Sequence, residues 1–148
     1  MIKIVKKDEK YFSDYVRLQN ECFRHPYTLK NMDDEYHDNP FSNFLFALYG
    51  DEVVGYIDYL LTFNSATIMQ ICVDQKYRRK HIASLLLEEM ENTFPKEGEN
   101  RVDFVTLEVR KSNIAAQELY KKFNYELVTT KRNYYEDGED ALYMVKGV

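Results

Sequence analysis

The 148-residue chain has no tryptophan, only two cysteines, three prolines and five glycines. Two cysteines are too few for a disulfide framework, and no CxxC pair is present to hold zinc. Cys72 lies in an apolar stretch and is therefore expected as a buried, unreactive thiol. Because the prolines and glycines are scattered, no linker divides the chain, and residues 1–148 are expected to form a single domain.

Long apolar runs and a basic excess are also missing. No stretch approaches the roughly 18 apolar residues of a membrane span, and no apolar segment follows the charged N-terminus as in a signal peptide. The net charge of −5 argues against a general nucleic-acid binder and favours a cationic partner such as an amine. We expect a cytoplasmic monomer or weak dimer that binds neither membrane nor nucleic acid directly.

Hydrophobic periodicity and turn residues predict alternating strands and helices. Gly50-Asp51 and Asn64-Ser65 separate three consecutive strands, which favours a meander of neighbouring strands. The polar segment Arg24–Pro40 is predicted as a loop with one short helix. Predicted strands are Ile2–Val5, Phe44–Tyr49, Val53–Phe63, Ala66–Val73, Phe104–Val109, Tyr125–Lys131 and Ala141–Val145; predicted helices cover about 8–23, 82–94 and 113–123. This order predicts a mixed α/β fold on one sheet.

A basic turn joins the strand that ends at Val73 to the amphipathic helix that follows. The turn contains Arg78, Arg79 and Lys80. Free N–H groups at the start of a helix, together with its dipole, attract phosphate, and arginines add to this from the side. The block therefore predicts a site for a phosphate-rich ligand.

A second block combines a carboxylate and a phenol. Glu108 ends a predicted strand, and Tyr120 lies on the helix that follows. Such a pair can act as general base and general acid. Two plainer interpretations compete: Glu108 in a surface salt bridge, and Tyr120 as a core tyrosine with a satisfied hydroxyl.

Four segments together resemble the GCN5-related N-acetyltransferase (GNAT) superfamily over nearly the whole chain. They are ICVDQKYRRKHIASLLLEEM, LEVRKSNIAAQELYKKFNYE, KRNYYEDGEDALYMV and the upstream HPYT at His25–Thr28. Within that superfamily the chain is most similar to the RimI-like ribosomal-protein-alanine N-acetyltransferases. The resemblance implies a central mixed sheet of six to seven strands with about four helices, and a splayed pair of parallel strands that holds acetyl-CoA.

The resemblance also implies a role for each matching residue. Glu108 would be the base and Tyr120 the acid, while Tyr134 and Tyr135 would wall the acceptor cleft. The cosubstrate acetyl-CoA would contact Ile71, Cys72, Val73, Arg78, Arg79, Lys80, His81, Ile82, Ala83, Ser84 and Asn113. No metal is implied. The acceptor would be the N-terminal α-amine of a ribosomal protein, starting with alanine, and the amine would attack acetyl-CoA directly rather than through an acetyl-cysteine at Cys72.

One departure from the family pattern lies in the phosphate turn. The family usually has glycine where this chain has His81, and a side chain there adds bulk to a position that favours positive φ. Two alternatives stay open: an acetyltransferase for polyamines, small amines or lysine side chains, and a non-catalytic CoA-binding or interaction module. His25 and His37 lie far apart in the sequence and are expected as solvated loop residues.

Overall fold

The computed structural model describes residues 1–148 and contains seven strands and four α-helices. The strands are β1 Ile2–Lys6, β2 Ser42–Tyr49, β3 Glu52–Thr62, β4 Ser65–Val73, β5 Phe104–Arg110, β6 Glu126–Lys131 and β7 Ala141–Gly147. The helices are α1 Phe12–Cys22, α2 Leu29–Asp33, α3 Ile82–Asn92 and α4 Ile114–Lys122. Every predicted strand and helix is present, so the predicted mixed α/β class is confirmed.

The seven strands form one sheet in the order β1-β2-β3-β4-β5-β7-β6. The β1–β2, β2–β3, β5–β7 and β6–β7 pairs are antiparallel, whereas β4 and β5 run parallel. The parallel pairing covers Ser65–Ile68 opposite Phe104–Leu107, although β4 continues to Val73 and β5 to Arg110. The parallel pair thus lies where a βαβ-type crossover through α3 requires it.

Helix starts differ from the predicted bounds because capping residues fix them. The Asp8 side chain accepts a hydrogen bond from the Lys10 N–H and caps a short 3-10 turn, so α1 begins at Phe12. Thr28 accepts from the Asn31 N–H and starts α2, and residues 34–38 continue it as a π-helical turn. The loop-plus-helix prediction for Arg24–Pro40 is therefore confirmed.

The chain divides into two compact units. The first comprises residues 1–60 and 70–94. Its core is rich in aromatic side chains: the Tyr15 ring meets the rings of Tyr36, Phe44 and Tyr56 at centroid distances of 5.5, 4.9 and 5.1 Å. All four side chains are at most 2% exposed. Edge-to-face and offset contacts of this kind stabilise a core beyond the area that they bury.

A disulfide joins Cys22, at the end of α1, to Cys72 in β4. The expectation that Cys72 is a free thiol is therefore wrong. The two residues are 50 positions apart in the sequence, and their Cα atoms lie 6.1 Å apart, within the range that a disulfide spans. Only the packing of α1 on the sheet creates this proximity, which is why spacing in the sequence did not reveal it.

The second unit comprises residues 61–69 and 95–148. Its central strand β5 alternates strictly: Val105, Leu107 and Val109 are buried, whereas Glu108 and Arg110 are partly exposed on the opposite face. This period of two places the carboxylate on the accessible side of the strand. In the whole chain, no helix has the length and apolar character needed to cross a membrane.

His37 is not a freely solvated loop residue, contrary to expectation. Its Nδ1 lies 2.6 Å from Asp33 Oδ1 and its Nε2 lies 2.6 Å from Glu9 Oε2. Carboxylates only accept hydrogen bonds, so both ring nitrogens carry protons and the ring is an imidazolium. The hydrogen bond that His37 donates to Glu9, with a further contribution from Asp33, raises the pKa of His37.

Replacing His37 with glutamine is expected to destabilise the protein more in mild acid than in mild base. With a pKa raised on folding, the charged pair stabilises fully below the unfolded pKa, about 6.5, and loses its effect as the pH rises through the folded pKa. Urea unfolding at about pH 5.5 and about pH 8.5 measures the difference. Glu9→Gln serves as the matched control, since it removes the main partner and should give the same pH dependence. Equal destabilisation at both pH values would contradict this account.

Candidate active site

The predicted phosphate turn lies in the first unit, between the end of β4 and the start of α3. Arg78, Arg79 and Lys80 are exposed, and the Arg78 Nε donates to the Val73 carbonyl at 3.3 Å. Arg79 and His81 both adopt positive φ, of 66° and 61°. The turn therefore has the left-handed residues that a tight entry into a helix N-terminus demands.

Helix α3 begins directly after His81 and offers backbone donors. Its first intrahelical bond runs from the Leu85 N–H to the His81 carbonyl. The N–H groups of Ile82, Ala83 and Ser84 consequently have no helical acceptor. Beside three exposed basic side chains, these donors form a cradle suited to a pyrophosphate.

Replacing His81 with glycine is expected to stabilise the protein by about 1 kcal/mol, because an L-residue pays about this much in the left-handed region. Affinity for acetyl-CoA should stay similar or become tighter. Thermal unfolding and calorimetric titration measure the two effects. Lys80→Gly is the matched control. The φ of Lys80 is not positive, so this variant should gain no stability. A large loss of cosubstrate affinity in His81→Gly would show instead that the imidazole binds phosphate.

Glycine is required at one position beside the predicted acetyl-binding strand. A Cβ built on Gly55 of β3 would lie 2.8 Å from the Cys72 carbonyl oxygen and 3.5 Å from Ile82 Cγ2. The first distance is shorter than real contacts allow, and a backbone atom cannot move aside easily. Gly55 therefore permits the close approach of β3 to the end of β4.

An open cleft of about 740 Å³ adjoins this turn within the first unit. It carries charges of both signs. Its lining residues are Arg17, Glu21, Cys22, Glu52, Asp74, Gln75, Lys76 and Arg78. Arg17 donates to the Val53 carbonyl at 3.0 Å and lies 3.7 Å from Asp74, so contacts within the protein hold this arginine in place.

A hydrogen-bonded pair of side-chain amides, Gln19 and Gln70, links the loop Arg24–Pro40 to β4. Gln19 is fully buried, and its Nε2 donates to Gln70 Oε1 at 2.6 Å while Gln70 Nε2 donates to Gln19 Oε1 at 3.0 Å. Gln19 Oε1 also accepts from the Tyr27 N–H at 3.1 Å, and the Tyr56 hydroxyl donates to Gln70. The HPYT element is thereby tied to the residue that directly precedes Ile71.

Asp58 of β3 is a fully buried carboxyl group, and Glu35 of the loop Arg24–Pro40 is its acidic neighbour. Burial, and secondarily Glu35, raises the pKa of Asp58 well above the ordinary value. Neither oxygen of Asp58 has a hydrogen-bond partner in the structure. Burial without a partner disfavours the charged form of a carboxyl group, which agrees with the raised pKa.

In the second unit, Glu108 pairs with a lysine that the sequence did not single out. Lys131 Nζ lies 2.7 Å from Glu108 Oε1, and the side chains are 39% and 20% exposed. The structure therefore contains the salt bridge that the plainer interpretation of Glu108 predicts. Both side chains of this pair remain partly exposed to solvent.

Tyr120 is 5% exposed on α4, with its ring 5.6 Å from that of Tyr125. Burial, and secondarily the neighbouring Tyr135, raises the pKa of Tyr120. Its hydroxyl therefore stays protonated at neutral pH and can act as a hydrogen-bond donor. Asn113 caps this helix, since its Oδ1 accepts from the Ala116 N–H at 3.1 Å. Its contact with pantetheine stays a prediction.

Tyr134 and Tyr135 lie on the connection between β6 and β7, which pair antiparallel. Their rings meet edge to face at 5.0 Å. Tyr135 stacks on the Arg110 guanidinium at 3.9 Å, and Arg110 in turn binds Asp137 and Glu139. Burial raises the pKa of Tyr135 to about 12. Glu108 contributes to the raised pKa of Tyr135, and Tyr135 contributes to that of Tyr120; the roles of these residues as base, cleft wall and acid stay predictions.

Comparison with known proteins agrees with this arrangement. The acetyltransferase (GNAT) family description matches residues 12–125, more than half of the chain. The chain belongs to this family. It is 35% identical over 115 residues to an N-alpha-acetyltransferase of Saccharolobus solfataricus, covering 70% of this chain and 68% of that protein.

Two solved structures show the same fold over the full length. The ribosomal-protein-S18-alanine N-acetyltransferase from Escherichia coli superposes with a TM-score of 0.88 at 25% identity, covering 100% of this chain and 94% of the other. Arabidopsis thaliana Naa50, in complex with the bisubstrate analogue CoA-Ac-MVNAL, gives a TM-score of 0.82 at 26% identity and covers 99% of each chain. The protein is an N-acetyltransferase, and the predicted GNAT fold is confirmed.

Proposed function

We propose that this acetyltransferase moves the acetyl group of acetyl-CoA to the N-terminal α-amine of a ribosomal protein, one that begins with alanine. The contact between Glu108 and the Lys131 amine at 2.7 Å supports the proposal, because it shows that this carboxylate can bind a primary amine. The likeness to the Escherichia coli enzyme over the whole chain supports this choice of acceptor.

The first unit supplies the groups for the cosubstrate. Backbone groups of Ile71, Cys72 and Val73 would contact the acetyl and pantetheine arm. The cradle at the start of α3 would hold the pyrophosphate, with the exposed turn Arg78–Lys80 supplementing its charge.

The second unit supplies the proton transfers. An α-amine has a pKa of about 7.7–8.0, so part of it is charged at neutral pH and must lose a proton before it attacks. Glu108 accepts that proton, directly or through a water. The amine then attacks the thioester carbonyl, an N–C bond forms and the C–S bond breaks. The leaving thiolate takes a proton from the Tyr120 phenol, and the phenol is reprotonated by the second proton that the attacking nitrogen loses as the amide forms. Cys72 is engaged in the disulfide, which supports direct attack.

Lysine side chains are a second candidate acceptor class. The observation that favours them is the side-chain amine of Lys131 at Glu108, with the rings of Tyr134 and Tyr143 beside it at 5.5 and 4.5 Å. A flexible ε-amine therefore fits against the same carboxylate that an α-amine would use.

A thiol-release assay with acetyl-CoA tests both candidates. Acceptors are short peptides that begin with Ala, Ser or Met, the same Ala peptide with a blocked N-terminus and one internal lysine, and spermidine. We expect turnover on the free Ala peptide to exceed all others. Strong turnover on spermidine alone, or on the blocked peptide alone, would reject the α-amine assignment. Acetyl-CoA binding without turnover on any acceptor would indicate a binding module.

A further inference from the structure

The side-chain ammonium of Lys131 lies against a carboxylate and two aromatic rings, the groups with which proteins bind ammonium ligands. It lies 2.7 Å from Glu108 Oε1, 4.5 Å from the centre of the Tyr143 ring and 5.5 Å from that of Tyr134. A carboxylate combined with aromatic ring faces is a recurring chemistry for recognising cationic amines. The Lys131 amine of the chain itself therefore occupies a group of side chains suited to binding an amine.

Strand register explains how Lys131 reaches this place. Glu108 of β5 lies directly opposite Tyr143 of β7, and Lys131 of β6 lies opposite Ala141, two residues from Tyr143. Side chains two residues apart share a face of the sheet. The long lysine side chain therefore crosses β7 over the Tyr143 ring, and its 39% exposure leaves the amine open to reagents from solution.

We propose that Lys131 is a self-acetylation site of this enzyme, an inference that rests on the proposed role of Glu108 in acetyl transfer. The ammonium gives one proton to Glu108, and the resulting amine attacks the thioester carbonyl of acetyl-CoA. An N–C bond forms, the C–S bond breaks, and the thiolate leaves and is protonated to the free thiol. The products are ε-acetyl-lysine, CoA and one proton, which passes from Glu108 to water.

Acetylation at this position changes the site that performs it. The amide of acetyl-lysine carries no charge, so the ion pair with Glu108 is lost. The carboxylate is then released to an external acceptor, and kcat/KM for a peptide should rise a few-fold after the modification. Lys131 in its unmodified form acts as an internal competitor for the amine position.

The pH dependence separates this reaction from peptide acetylation. The hydrogen bond with Glu108 raises the pKa of Lys131, with smaller contributions from Tyr134 and Tyr143. Lysine is therefore almost fully charged below about pH 9, and its labelling should climb about tenfold per pH unit between about pH 7 and 9. An α-amine of pKa about 7.7–8.0 becomes mostly neutral over the same range, so its rate levels off.

The test incubates the full-length enzyme with isotopically labelled acetyl-CoA and no peptide, followed by intact mass and peptide mapping. We expect one labelled acetyl group, on Lys131, at a rate independent of enzyme concentration. Lys131→Arg should abolish it, and Glu108→Gln should slow it by about 10²-fold. Lys122→Arg, which removes an exposed lysine at the end of α4, is the matched control and should label normally.

Two results would overturn the inference: labelling spread evenly over several lysines, and labelling of Lys131 that Glu108→Gln leaves unchanged. Either result would indicate uncatalysed chemical acetylation. Peptide turnover without any label on Lys131 would overturn the inference too, while leaving the proposed function intact. Label on Lys131 without turnover of any peptide would support self-acetylation and reject the proposed acceptor.

Discussion

Replacing Glu108 with glutamine is expected to lower kcat/KM for an alanine-initiated peptide by about 10²–10⁴-fold, the usual contribution of a general base. Glutamine keeps the shape of the side chain and can still contact the acceptor, but it cannot take a proton. The KM for acetyl-CoA should change little, since Glu108 has no proposed contact with the phosphate turn. Steady-state kinetics at several pH values measure both quantities.

A structural role for Glu108 predicts a different pattern. The pair with Lys131 is partly exposed, so its loss should change the free energy of unfolding by no more than about 1 kcal/mol. Lys131→Met breaks the same ion pair yet leaves the base in place, and it should keep or increase kcat/KM. Glu118→Gln, an exposed carboxylate on α4, controls for net charge. Equal losses in Glu108→Gln and Lys131→Met would show that the ion pair, and not the base, matters.

The secondary structure was predictable because local signals agree with the fold. Turn residues at Gly50 and Asn64 mark the ends of strands, and Pro95 with Gly98 follows the end of α3. The alternation along β5 places Glu108 on the open face without any tertiary information. A carboxylate at a strand end, followed by a helix with a tyrosine, was therefore readable from the sequence.

Interactions between distant segments were not predictable in the same way. Lys131 approaches Glu108 only because β7 lies between β5 and β6 in the sheet, an order that no local pattern encodes. Asp58 looks like an ordinary strand residue until packing brings Glu35 over it. His81 did give a signal, since the position favours glycine, and its left-handed φ of 61° agrees with that expectation.

Reducing the disulfide between Cys22 and Cys72 is expected to lower the free energy of unfolding by about 4 kcal/mol. In the chain-entropy account, the bond stabilises the protein because it restricts the unfolded chain. The stabilisation expected for a loop of 50 residues lies between the values for shorter and longer loops, about 3 and 4.7 kcal/mol. For a domain of this size, the midpoint of thermal unfolding should fall by roughly 10–15 °C. Thermal unfolding with and without a thiol reductant, with thiol titration of each sample, measures the effect.

The double variant Cys22→Ala, Cys72→Ala isolates the contribution of the bond. It should unfold near the temperature of the reduced protein and show no response to reductant, whereas the oxidised wild type should respond. Cys72 is 3% exposed, so the variant also loses some packing, and the wild-type comparison therefore carries the argument. An oxidised sample with no titratable thiols, whose unfolding temperature does not change on reduction, would refute the entropic stabilisation. Since Cys72 lies between Ile71 and Val73, the same samples assayed for acetyl transfer would show whether the link between α1 and β4 also affects the proposed cosubstrate strand.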